Sequence, residues 1–150
     1  MILKMIFPKS FNFLASELKE LPDRPDGYVL EAPFNTMKDE VATFWIAKVF
    51  KILLDVDKLI EKSFLTFNSE KFVKSIKEPI SILHAQDDWV IPYTLGKRLH
   101  EAASKENSKA KFYSFEKNLR LGHDDIYKAN TFDEVVKEIV KNVKESKLKN

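Results

Sequence analysis

The sequence predicts an α/β domain in which a parallel sheet of about three strands is flanked by helices. Short β-type runs alternate with segments of helical periodicity, and strands separated by helices pair in parallel through right-handed crossovers. The 150 residues are 44% apolar and 12% aromatic, which favours a packed core over disorder. The sequence contains no repeat, low-complexity tract or linker, so residues 1–150 are predicted to form a single domain.

The first predicted elements are a helix, a turn and a strand. Apolar residues at helical spacing predict a helix over 10–20, and a cluster of turn-forming residues covers 21–27. A buried strand is predicted over 28–32, where Pro33 stops it. This strand should need a neighbour on its open edge, where residues 1–7 could pair.

A long apolar helix is predicted next. Thr36 and Asp39 form an N-cap pair, and the helix that they open extends to about Leu54. Its segment 44–54 is more apolar than one helix face needs, and core packing is the simplest explanation.

The second half of the chain predicts a short helix, a buried strand, a helix, another strand and a final helix. In that order, these elements are expected at 68–76, at 80–84, from Pro92 onward, at 110–115 and from Thr131 onward. Asn68 is a suitable N-cap, Pro92 suits the first turn of a helix, and Thr131 with Glu134 forms a capping box.

Candidate catalytic groups follow the last two predicted strands. Asp87 and Asp88 come directly after the strand at 80–84, and His123 lies in the loop after the strand at 110–115. The carboxyl ends of parallel strands meet at one edge of a sheet, where sites form. A carboxylate there can accept the Nδ1 hydrogen of an imidazole, whose Nε2 can then take a proton from a hydroxyl group.

Asp88 is the preferred acid because it stands three residues before Ile91 and Pro92, which leaves Asp87 as a turn residue. The alternative is that both aspartates only cap the helix at Pro92. His123 has an alternative as a surface-loop residue, and the run of His123 and the two aspartates after it is only a weak metal signal. No metal or cofactor is predicted.

The other two histidines are predicted to play no direct chemical role. His84, at the end of a buried strand, is expected to be a satisfied buried histidine that supports the acidic turn. His100 lies on a helix between Arg98 and Glu101 and is expected to be solvated.

A nucleophile for this pair is missing from the printed sequence. The order acid then histidine is that of α/β-hydrolases, whose serine lies upstream in a Gly-x-Ser-x-Gly turn, and the 150 residues contain no such turn. Ser10 stands between Pro8 and Asn12, where the turn needs small residues, so it is better explained as an N-cap. Ser16 falls within a predicted helix and is no better.

At this point the sequence resembles the C-terminal half of the α/β-hydrolase-domain lipases that cleave monoacylglycerols and lysophosphatidylserine. The similarity extends from about residue 11 to about residue 140, and its matching stretches are 25–34, 82–92, 95–99 and 122–123 with 126–127. The run His-Ala-x-Asp-Asp-x-Val-x-Pro at 84–92 is moderately specific. Its combination with Leu-Glu-Ala-Pro-Phe at 30–34 narrows the choice of family. The resemblance places the catalytic acid at Asp88 and the catalytic base at His123.

The resemblance implies a partial α/β-hydrolase fold. The functional alternative to core packing for the apolar segment 44–54 is a cap-like helical insertion that shelters an acyl chain above the site. The nucleophile would fall near Met5, where there is no serine, and residues 1–8 do not resemble the family. We therefore expect a fragment or truncated member of a serine lipase family, inactive alone, from a truncated gene model, a splice form or a degenerate paralogue. The alternative is a non-catalytic α/β module that binds a lipid or a protein partner.

Charge and hydropathy restrict the partners. A net charge of +2 gives no reason to expect nucleic acid, and no apolar run approaches the length of a transmembrane helix. The absence of cysteine excludes disulfides and fits an intracellular location. The resemblance implies a lipid ester substrate and, for intact relatives, the endoplasmic reticulum membrane, while peripheral membrane contact by this chain stays open.

Overall fold

The computed structural model describes the backbone of residues 3–6 and the residues 25–33 and 68–148 in full. Within these residues the centre is a four-stranded sheet with the order β1-β2-β3-β4, in which every neighbouring pair is parallel. The strands are β1 (Leu3–Ile6), β2 (Gly27–Glu31), β3 (Ile80–Ala85) and β4 (Ala110–Phe115). The predicted strands are confirmed, and the open edge of β2 is paired by residues from 1–7, as expected.

The three described α-helices are α1 (Ser69–Ser75), α2 (Tyr93–Ser104) and α3 (Phe132–Leu148). The predicted N-cap of α1 is confirmed, because Oδ1 of Asn68 accepts a hydrogen bond from the backbone N–H of Lys71 at 2.9 Å. Pro92 is the N-cap of α2, where its missing N–H costs no helical hydrogen bond.

Two apolar clusters cover the two faces of the sheet, because successive side chains of a strand point to opposite faces. The even-numbered residues of β2 and β3 join a cluster with α1 and α2, whose fully buried members are Leu30, Val73, Ile80, Ile82, Leu99 and Ala103. The odd-numbered residues pack toward α3 in a cluster that includes Val29, Leu83, Phe115 and Ile139. All six residues of β3 are buried, as expected for a strand covered on both faces.

Several predicted features lie outside the described residues. These are the helix at 10–20, the helix from Thr36 to about Leu54 with its cap-like segment 44–54, and the two serines considered as nucleophiles, Ser10 and Ser16. Within the described ranges, no helix has both the length and the apolar character needed to cross a membrane.

Candidate active site

The acidic turn after β3 is organised by Asp88, whose side chain is fully buried. Its Oδ1 atom accepts hydrogen bonds from the backbone N–H groups of Val90 at 2.9 Å and Ile91 at 2.8 Å. Aspartate favours such turns because its short side chain reaches N–H groups two and three residues ahead. The alternative that Asp88 only caps the helix at Pro92 is wrong, because these N–H groups belong to the turn before α2 and the N-cap of α2 receives no side-chain hydrogen bond. The other carboxylate oxygen, Oδ2, remains for a different partner.

That partner is His123, whose Nδ1 atom lies 2.9 Å from Oδ2 of Asp88. The structure thus brings together the two residues that the sequence proposed as acid and base, 35 positions apart in the chain. The histidine lies in the loop after β4, where Gly122 adopts a φ of +59°, a conformation that costs glycine little.

Asp87 does more than the turn role predicted for it. Its Oδ2 atom accepts a hydrogen bond from the backbone N–H of Gly122 at 3.1 Å. Its Oδ1 atom is buried without a hydrogen-bond partner among the described residues. The two neighbouring aspartates therefore hold the same loop, Asp88 through the imidazole of His123 and Asp87 through the backbone.

In the pair of Asp88 and His123, the carboxylate is the hydrogen-bond acceptor and the imidazole is the donor. Burial alone would raise the pKa of Asp88, but the hydrogen bonds from His123 and the Ile91 N–H, together with the nearby ring of His84, outweigh burial and hold that pKa well below its ordinary range. The hydrogen bond to Asp88 raises the pKa of His123 against the opposing effect of partial burial. An ionised Asp88 can only accept, so neutral His123 carries its hydrogen on Nδ1 and presents the Nε2 lone pair.

Glu31 is a third acidic residue near this pair, and the sequence pattern predicted no separate role for it. It ends β2 and is followed by Ala32 at a φ of 43°, an uncommon conformation for a residue other than glycine. Burial raises the pKa of Glu31, the nearby His123 lowers it, and Asp124 adds to the rise. The sequence signal that could have identified Glu31 is an acidic residue at the end of a buried strand.

The prediction of a satisfied buried histidine is confirmed for the burial of His84 but not for both of its ring nitrogens, and the prediction for His100 is wrong. His84 is fully buried beside the acidic turn, as predicted, although its Nδ1 atom has no partner within the described ranges. His100 is not solvated: it is half-buried, its Nε2 lies 3.0 Å from Oγ of Ser104, and its ring packs against Phe112. The strand β4 covers this face of α2, which helix periodicity alone did not reveal.

The loop around His123 does not form a metal centre in the described part of the chain. Asp125 pairs with Lys128 at 2.8 Å, and no group of three or more His, Cys, Asp or Glu side chains among the described residues is arranged to hold a metal ion.

A histidine bound to a buried carboxylate at the carboxyl edge of a parallel sheet is the arrangement of the α/β-hydrolase class. Solved structures support the same fold. The chain aligns with the esterase Pf2001 of Pyrococcus furiosus at a TM-score of 0.61 and 15% identity, covering 97% of this chain and 53% of that one. It aligns with the monoacylglycerol lipase of Paleococcus ferrophilus at a TM-score of 0.54 and 16% identity, covering 94% and 67%.

Sequence comparison narrows the class. The chain is 30% identical over 135 residues to the lysophosphatidylserine lipase ABHD12 of Danio rerio, covering 83% of this chain and 35% of that protein. It is also 30% identical over 140 residues to the Xenopus tropicalis protein of the same name, covering 88% and 36%. No family model matches the chain. The chain thus belongs to the α/β-hydrolase family of the ABHD12 lysophosphatidylserine lipases, and it spans about a third of their length.

Proposed function

We propose that Asp88 and His123 are the acid and base of a serine-hydrolase triad that cleaves acyl esters. The observation that carries this proposal is the 2.9 Å contact between Nδ1 of His123 and the fully buried carboxylate of Asp88. Within the described ranges, Nε2 of His123 has no hydrogen-bond partner, so it is available to a hydroxyl group. The pairing matches the roles that a triad requires of its acid and its base.

In the proposed reaction, Nε2 of His123 takes the proton of a serine hydroxyl as the serine oxygen attacks the acyl carbonyl. Asp88 stabilises the imidazolium that forms. The imidazolium then gives its proton to the departing alcohol, leaving an acyl-serine that water hydrolyses by the same proton path. The names of the relatives support a lysophospholipid or a monoacylglycerol as the ester.

We further propose that these 150 residues form one partial domain that hydrolyses esters negligibly by itself. The support is compositional: there are three glycines and no Gly-x-Ser-x-Gly turn in the sequence. A p-nitrophenyl ester assay and a fluorophosphonate probe on the purified 150-residue chain test this proposal. Hydrolysis that Asp88→Asn or His123→Ala abolishes, or covalent labelling of a serine, would contradict it.

The acid and base roles are tested in a hybrid enzyme. The matched third of the Danio rerio lipase is exchanged for this chain, so that the relative supplies the nucleophile, and lysophosphatidylserine hydrolysis is measured. We expect an active hybrid in which Asp88→Asn lowers kcat about 10⁴-fold, because the histidine loses its orienting anion. His100→Ala, which alters a histidine of α2 that packs on Phe112 and not on the acidic turn, is the matched histidine control. A folded, active hybrid that tolerates Asp88→Asn would refute the proposal.

A second candidate function is a module that binds a lipid surface or a protein partner without catalysis. The observation that favours it is Trp89, which is 82% exposed directly beside Asp88, with Tyr127 60% exposed on the neighbouring loop. Tryptophan and tyrosine suit the boundary between water and lipid. For this candidate function, we propose an intracellular location with peripheral contact to a membrane.

Flotation with anionic vesicles tests the membrane contact. Trp89→Ala should reduce the bound fraction several-fold, whereas Leu148→Ala, which removes an equally exposed apolar side chain at the end of α3, should leave it unchanged. Equal binding by all three proteins would refute peripheral contact through Trp89.

A further inference from the structure

His84 lies against the acidic turn, yet the proposed proton transfers do not use it. It is the fifth residue of β3, it is completely buried, and it belongs to the even-numbered set that faces α2. The ring of Tyr93 meets it edge-on, with 5.7 Å between the ring centroids. A polar ring in such a position is costly unless its nitrogens are used.

The contacts of one ring nitrogen fix the tautomer. Nε2 of His84 lies 3.0 Å from the backbone oxygen of Ile91 and 3.4 Å from Oδ2 of Asp88. Both neighbours are acceptors, since Asp88 is ionised, so Nε2 must carry a hydrogen. The other nitrogen, Nδ1, is buried without a partner in the described ranges, and a second hydrogen there would be an unpaired buried donor. The ring is therefore neutral.

The single Nε2–H group faces two parts of the same turn. One is the carbonyl of Ile91, at the end of the turn that precedes α2. The other is Oδ2 of Asp88, the same oxygen that meets His123. The backbone N–H groups of Val90 and Ile91 already hold the opposite oxygen, Oδ1. The carboxylate is thus held at both of its oxygens, and these contacts oppose its rotation about the Cβ–Cγ bond.

We propose that His84 is a positioning residue that orients Oδ2 of Asp88 toward His123 through its Nε2–H group. The inference rests on the proposed function, because it assigns a residue that prepares the acid of the same triad. His84 touches neither substrate nor nucleophile. Its effect reaches the reaction only through the direction and basicity of the Asp88 carboxylate.

Gly96 is the matching feature on α2. A Cβ atom built at this glycine would overlap Nδ1 of His84, so any larger residue would displace the imidazole. The glycine has no unusual backbone conformation to explain it; it provides space for a ring that faces the acidic turn. The two residues lie 12 positions apart on different elements, and together they place one N–H group beside the acid.

The titration of the Asp88 carboxyl group tests the inference in the 150-residue chain. Its midpoint is followed by ¹³C NMR in the wild type, His84→Leu and His84→Gln, with His100→Leu as a matched histidine control. We expect His84→Leu to move the Asp88 midpoint upward, because a donor to the ionised form is lost. His84→Gln, whose amide nitrogen reaches the place of Nε2, should restore the low midpoint, and His100→Leu should leave it unchanged. A merely structural histidine would alter stability without moving this midpoint.

Two results would overturn the inference. One is an unchanged Asp88 midpoint in folded His84→Leu, and the other is a His84→Gln variant that behaves like His84→Leu. If His84→Leu does not fold, long-range ¹H–¹⁵N correlation on the wild-type chain decides: a hydrogen on Nε2 with bare Nδ1 supports the inference, and an Nδ1–H tautomer or a charged ring overturns it.

These outcomes are independent of the hybrid enzyme. Loss of the proposed function would appear as an active hybrid that is insensitive to Asp88→Asn. If this inference alone fails, the hybrid will lose activity in Asp88→Asn, but the Asp88 midpoint in the 150-residue chain will be the same with and without His84.

Discussion

Buried polar groups are hydrogen-bonded differently at the two ends of the parallel strands, which we call the amino edge and the carboxyl edge of the sheet. At the amino edge, Asn107 is 5% exposed, its Nδ2 donates to the backbone oxygens of Ile76 at 3.2 Å and Glu78 at 2.8 Å, and its Oδ1 accepts from Lys109 N–H at 2.9 Å. At the carboxyl edge, His84 Nδ1 and Asp87 Oδ1 are buried without partners among the described residues. Unusual φ values cluster there as well, at Ala32, Arg120 and Gly122.

This difference distinguishes the amino edge, which supports the fold, from the carboxyl edge, which holds the candidate site. A buried amide whose donors and acceptor are all used gains stability and has nothing left to offer a ligand. Unpaired buried atoms and uncommon backbone angles cost free energy and persist where the surrounding structure imposes them, as functional sites often do. The amino edge should therefore respond to substitution mainly in stability, and the carboxyl edge mainly in the properties of Asp88 and His123.

The largest expected effect on stability is at the amino edge. Asn107→Ala removes three hydrogen bonds and leaves two carbonyls short of donors, so the free energy of unfolding should fall by about 3 kcal/mol. Urea denaturation measures the change, with the exposed Asn130→Ala as control. His123 should titrate in Asn107→Ala as in the wild type. A change in that titration would mean that the two edges are not independent.

The next effect concerns the contact between α2 and His84. Gly96→Ala should lower the free energy of unfolding by about 2 kcal/mol, because a buried ring must move to admit the methyl group. Thr94→Ala, at an exposed position of the same helix, should be neutral or slightly stabilising, since alanine favours helices. A stabilised Gly96→Ala would show that His84 does not pack against this glycine.

A smaller effect is expected where Asp87 holds the histidine loop. Asp87→Ala should cost about 1 kcal/mol, because the lost acceptor for Gly122 N–H is partly offset by removal of the unpartnered Oδ1. The specific readout is amide hydrogen exchange: Gly122 should exchange faster, while Val90 and Ile91, which Asp88 holds, should not. Asp124→Ala, exposed in the same loop, is the control. Unchanged exchange at Gly122 would exclude the backbone role of Asp87.

The smallest effect is the pH dependence of stability that the pair contributes. The lowered pKa of Asp88 gives stability that is present above the ordinary value of 3.8 and lost as pH falls through the folded value. The raised pKa of His123 gives stability that is present below the ordinary value of 6.5 and lost as pH rises through the folded value. Both contributions are present together between pH 3.8 and 6.5.

Asp88→Asn should therefore lower the free energy of unfolding more at pH 5 than at pH 9. The excess should stay below about 1 kcal/mol, because solvent screens the partly exposed imidazole. Chemical denaturation at the two pH values measures it. An equal loss at both would show that His123 gains nothing from Asp88.

The sequence predicted the frame of the molecule because local patterns specify it. The apolar run of β3, the Asn68 cap and the periodicity of α2 each follow from neighbouring residues, and the acid and base follow from the ends of two parallel strands. The contacts that were missed join residues far apart in sequence. Asp87 with Gly122, and Gly96 with His84, depend on how loops and helices meet, which no local pattern encodes.

The most direct test of the central claim, that Asp88 and His123 work as one acid–base pair, is the NMR titration of the His123 imidazole in the wild type and in Asp88→Asn. If the carboxylate holds Nδ1–H and stabilises the imidazolium, the pKa of His123 is raised in the wild type and falls clearly in the variant. An identical titration of His123 in both proteins would contradict the claim.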